Sequence, residues 1–141
     1  LLLVILVTII VGIATVVAIN TFGSAADSAN VDAVTQDVAQ IAASAQGYYM
    51  KPGMLGGGGK TFNNPNITFE DISFAASEIS DNGLTAVNEN GRYVISGHAA
   101  GQFTVTAHPS SDEDYTPGLD GTAATETLVA TILPDNMTWG S

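Results

Sequence analysis

An α+β fold, in which one long N-terminal α-helix packs against a small antiparallel β-sheet, is predicted by three features of the chain. The nineteen residues from Leu1 to Ile19 carry no charge. Val31, Val34, Val38, Ile41, Ala45 and Tyr48 then recur at alternating steps of three and four, which draws one apolar stripe down a helix. From residue 66 onward, β-branched and aromatic residues alternate with turn formers, the texture of short strands. The expected layout is an apolar helix over 1–27, the amphipathic half of the same helix over 28–52, a glycine-rich connector over 53–66 and a β-rich head over 67–141.

The apolar stretch is long enough to cross a bilayer, because a spanning helix needs about 20 mostly apolar residues. Only Thr8, Gly12 and Thr15 interrupt its aliphatic run, and a helix satisfies a threonine hydroxyl on its own carbonyls. After the hinge-like Asn20 to Ser24, Asp27, Asp32, Gln36, Asp37, Gln40 and Gln46 fill the faces left by the stripe. One helix with two kinds of surface follows. At ~1.5 Å per residue it runs about 75 Å from Leu1 to Met50, more than one membrane thickness.

Lys51-Pro52-Gly53 is expected to end the helix, since proline cannot occupy its interior and glycine favours a left-handed cap. The following run, Gly56 to Gly59 before Lys60-Thr61, invites comparison with a phosphate-binding loop. That motif requires glycine where this chain has Met54, and a strand before it where this chain has a helix. A flexible connector or close backbone packing is the better reading.

In the head, Ile67-Thr68-Phe69 reads as a short strand, and Ile72 to Ile79 is ambiguous between a helical turn and coil. Arg92 to Gly97 and Gln102 to Ala107 are clearer strands, joined across His98 to Gly101 as an antiparallel hairpin. Glu126 to Leu133 makes a third, with Leu128, Ala130 and Ile132 on one face. A sheet with one apolar face needs a cover, which the helix stripe provides.

Between the second and third strands, Asp112, Glu113, Asp114 and Asp120 are oxygen donors of the type calcium takes. Their spacing is not that of an EF-hand loop, so a solvated acidic loop is favoured. Asn66-Ile67-Thr68 and Asn136-Met137-Thr138 fit the N-glycosylation acceptor pattern, a short pattern that also arises by chance.

Fourteen acids stand against Lys51, Lys60 and Arg92, giving a net charge of -11. That balance argues strongly against a nucleic-acid-binding surface, which needs clustered Lys and Arg, and suits exposure to an outside medium. There is no cysteine, so no disulfide framework. His98 and His108 lie in no nucleophile or metal-pair signature, and no catalytic residue and no cofactor are expected.

The stretch LLLVILVTIIVGIATVVAINTFGSAADSANVDAVTQDVAQIAASAQGYYMKP, an apolar then amphipathic helix ahead of a small polar head, resembles the plan of type IV pilins and pseudopilins. Two features depart from it. Many type IV pilins begin with phenylalanine and carry glutamate at the fifth position, where this chain has Leu1 and Ile5, its first acid being Asp27. The chain also opens without Met and without a basic leader, which leads us to expect a start that is trimmed or missing. Second, the C-terminal disulfide loop of many pilins cannot form.

The resemblance implies a structural subunit that polymerises into an extracellular helical filament. Its polymerisation core would be Leu1, Leu2, Leu3, Val4, Ile5, Leu6, Ile9, Ile10, Gly12, Ile13, Val16, Val17 and Ile19. It implies self-association, a stay in the cytoplasmic (inner) membrane before assembly, a prepilin peptidase with methylation of the processed terminus, and a membrane assembly machinery with its own ATPase. The alternatives are a monomeric membrane-anchored surface binding module and a pseudopilin of a secretion system.

Overall fold

Leu2–Met50 form a single α-helix, α1, with no break at Asn20 to Ser24. Its threonines are satisfied internally: the hydroxyls of Thr8, Thr15 and Thr21 donate to the carbonyls of Val4, Val11 and Val17 at 2.8, 2.8 and 2.9 Å. The computed structural model describes residues 1–121 and 127–140. The helix ends because Lys51 precedes Pro52, whose ring drives it to extended backbone (φ -76°, ψ 131°). The expected left-handed glycine cap is therefore displaced: Gly53 opens a 3-10 turn, Gly53–Leu55, and the left-handed residue is Gly56, which closes that turn.

The glycine run then folds back over the helix end. The amides of Gly58, Gly59 and Lys60 donate to the carbonyls of Tyr48, Lys51 and Tyr49 at 2.8, 3.0 and 2.8 Å, satisfying groups that a helix C-terminus leaves open. A Cβ on Gly58 would lie 2.3 Å from the Thr61 carbonyl oxygen and 2.8 Å from the Tyr48 ring. Close backbone packing, of the two readings offered by the sequence, is the one realised. Gly58→Ala is expected to lower stability by about 1–3 kcal/mol, as overpacking does; chemical denaturation with an unchanged midpoint would contradict this.

Among the described residues six strands follow: β1 (Glu78–Ile79), β2 (Thr85–Val87), β3 (Gly91–Ala99), β4 (Gln102–Pro109), β5 (Leu128–Ile132) and β6 (Met137–Gly140). They form one antiparallel sheet in chain order, each strand pairing with the next. The β3–β4 hairpin turns at Ala100-Gly101, with a register shift between Ser96 and Ala99 where Gly97 takes φ 62°. Residues 67–69 are not a strand. Ile67 and Phe69 are buried anchors of a turn, and the Phe69 amide donates to Gly83.

The core lies between α1 and the sheet, so the fold is the predicted α+β arrangement. Val34, Val38, Ile41, Ala42, Ala45 and Tyr48 come from the helix, and Tyr93, Ile95, Phe103, Val105, Ala107, Ala130 and Ile132 from alternate positions of β3, β4 and β5, as the period of two requires. Registered pairs Ile95 with Val105 and Phe103 with Ile132 stand side by side on this face. Phe62 links connector to core, its ring centroid 4.9 Å from Tyr49 and 5.0 Å from Phe103.

A candidate assembly surface

Asn30, near the start of the amphipathic half, hydrogen-bonds the head. Its amide nitrogen donates to the Asn90 carbonyl and the Ser110 hydroxyl at 3.0 and 3.1 Å, and its side-chain oxygen accepts from the Ser111 amide. One turn beyond Val34, a single oxygen of Asp37 accepts from the Asn88 and Asn90 side-chain amides and from the Tyr93 hydroxyl, at 2.9, 2.8 and 2.6 Å. Nearer the helix end, Gln46 donates to the carbonyls of Leu133 and Asn136. The head is thus fastened along the second half of the helix by polar groups as well as by its core.

The helix before Asp27 stands clear. Residues 1–29 are exposed throughout, an extension of about 43 Å at ~1.5 Å per residue. Leu1, Leu2, Leu3, Val4, Ile5, Leu6, Ile9, Ile10, Ile13, Val16, Val17 and Ile19 are all at least half exposed, and Gly12 has open space around its backbone. Apolar surface therefore faces every direction around this half, and Phe22 extends it. By length and composition the segment is able to cross a membrane. Wet apolar surface of this extent has to be covered by lipid or protein, since each Å² is worth ~25 cal/mol.

Of the helix residues assigned to sheet packing, Val34, Val38, Ile41, Ala45 and Tyr48 are buried, and Val31 is half-buried. Val31 instead joins Asp27, Pro109, Ser111, Asp112, Glu113 and Asp114 around an open groove of about 380 Å³ at the base of the head. The acidic loop is held by Arg92, the buried cation. Its guanidinium donates to the carbonyls of Thr116 and Gly118 and lies 5.8 Å from the Tyr115 ring centroid. Asp112 accepts from the amide of Asp114 at 2.9 Å. Among the described residues no set of three or more His, Asp or Glu side chains converges as a metal site, Asp120 included. Asn66 and Asn136 are exposed, the latter accepting from the Met137 amide. His98 bonds the Ile67 carbonyl at 3.0 Å and so ties the hairpin to the segment that follows the connector.

Sequence reasoning placed Asp37 on the solvated face. Burial, then its hydrogen bond to the Asp37 carboxylate and the charge of that group, push the Tyr93 hydroxyl well above its ordinary value of 10.0. Tyr48 and Tyr115 are raised as well, each first by burial. A raised folded-state value means the neutral phenol stabilises the fold fully below pH 10, and that this stability drains away as pH climbs from there toward the folded value. Unfolding measured across the alkaline range is expected to show this loss, with a shallower dependence in Tyr93→Phe; equal slopes would contradict it.

Comparison with known protein families, curated proteins and solved structures found no match, so the functional reading stands on the chain's own geometry: a fastened head and a bare apolar stalk cut from one helix.

Proposed function

We propose that this chain is a structural subunit of a helical surface filament of the type IV pilin kind, with the apolar half of α1 as the assembly element. The observation that carries the reading is the continuity of α1: one helix is both core of the head and bare apolar stalk. A simple anchor needs only a spanning segment and a polar tether. Here the stalk is fixed to the head, so its position sets the position of the head, which is what a regular polymer requires.

An all-round apolar helix is stable either in lipid or against copies of itself, so a membrane pool supplies the fibre at modest net cost. In lipid the stalk spans the cytoplasmic membrane with the acidic head outside. In the fibre the stalks form a solvent-free core and the heads the surface. Extraction falls to a membrane assembly machinery with its own ATPase.

Negative-stain microscopy of the full chain after detergent removal, and of material sheared from cells expressing it, tests the reading. Fibres of regular symmetry are expected. Single subunits that remain in vesicles under every condition would overturn it in favour of a membrane-anchored module.

A further inference from the structure

The charge of this molecule is unevenly spread. Of its three cations, Arg92 is buried, which leaves Lys51 and Lys60 as the exposed ones, the first capping α1 and the second on the connector that folds back over it, at the far end of the head. Around them Met50, Met54 and Leu55 are 65, 98 and 66 % exposed, a knuckle held in shape by the glycine backbone bonds to the helix end. At the opposite end, the groove of about 380 Å³ presents Asp27, Asp112, Glu113 and Asp114 around Val31 and Pro109. One end is cationic with a projecting apolar tip; the other is anionic with a recess and an apolar floor.

We infer that these two surfaces dock on each other between copies of this chain, the knuckle of one subunit seating in the groove of a second one displaced along the helix axis. This rests on the filament reading above. Asp27 and Lys51 lie about 36 Å apart along α1 at ~1.5 Å per residue, so one chain cannot make the contact with itself. Two different patches at opposite ends make a heterologous interface, which propagates into a fibre when it does not close into a ring. Charge complementarity sets register and discourages reversed packing.

Other anionic occupants fit the knuckle less well. Two lysines are a poor footprint for nucleic acid, whose binding depends on displacing many counterions. With Leu1 to Ile19 in a bilayer, Lys51 stands about 48 Å along the helix from Ile19, beyond the reach of lipid headgroups.

The test reverses each patch in the full chain. Lys51→Glu with Lys60→Glu, and separately Asp27→Lys with Glu113→Lys, should each cut the yield of sheared filaments by about tenfold or more, the size expected when like charges are juxtaposed. All four substitutions in one chain should restore most of that yield, a recovery that misfolding cannot imitate. Wild-type yield from both double variants, or no recovery in the fourfold variant, overturns the docking while leaving the filament intact. Absence of fibres from the wild type would instead remove the filament reading itself.

Discussion

Ile9→Asp and Ile13→Asp should each abolish filaments while leaving the head folded. Both side chains belong to a stretch with no basic residue, so an added carboxylate finds no partner in a packed stalk core. Leaving a charge unpaired in such surroundings costs several kcal/mol, and the cost recurs at every subunit of the polymer. Aliphatic contacts are individually worth ~0.1–0.2 kcal/mol per atom pair and cannot absorb it. The head is insulated because residues 1–29 are exposed and lie outside its core. Microscopy should therefore show no fibres where circular dichroism and thermal melting of the full chain in detergent are unchanged. Fibres of normal symmetry from either variant would leave the stretch as a membrane anchor only.

Val38→Asp has the opposite signature and is expected to destabilise the head strongly. Val38 is fully buried between the helix and the sheet. The nearest polar cluster is already committed, its three donors converging on one oxygen of Asp37. A new carboxylate there would have to remain unpaired, take up a proton or open the helix from the sheet, at a cost of about 3–5 kcal/mol. That is a large part of the ~5–15 kcal/mol by which a domain is usually stable. Asp32→Asn, on the exposed face, should shift stability by no more than about 0.5 kcal/mol. A melting temperature for Val38→Asp equal to that of the Asp32 control would contradict the packing described.

The helix was legible because its signal is long. Nineteen uncharged residues and a stripe repeated over five turns leave no competing period. β3, β4 and β5 were legible on a smaller scale, as segments of five residues or more rich in β-branched and aromatic side chains. β1, β2 and β6 span two, three and four residues, too few for alternation to register. The usable signal lay in the turns: Asn82-Gly83 and Asn90-Gly91 are strong hairpin dipeptides, and they precede β2 and begin β3. Ile67-Thr68-Phe69 misled in the other direction, since its β-branched and aromatic letters serve burial in a turn.

The fastening of the head was hidden for a different reason. Asp37 has the sequence character of a solvated residue, and only tertiary placement brings Asn88, Asn90 and Tyr93 to it from 51 to 56 positions away. Arg92 is similar, a cation whose role depends on carbonyls 24 and 26 residues along the chain. For the glycine run the sequence left a flexible connector and close backbone packing both open, and which backbone approaches it could not be inferred from composition.

The strict chain order of the sheet bears on how quickly the head folds. A meander in which every strand pairs with its predecessor keeps its pairings near in sequence, the long connection between β4 and β5 excepted, and topologies dominated by near neighbours in sequence fold fast. The slow events are the closures onto the helix, such as the bonds from Gln46 to Leu133 and Asn136 across 87 and 90 residues. Because the helix comes first in the chain, it is already present as a template when each later strand emerges. Folding is then expected to proceed as successive addition to that helix, with β6, the last of the described strands, locked down after β3 to β5.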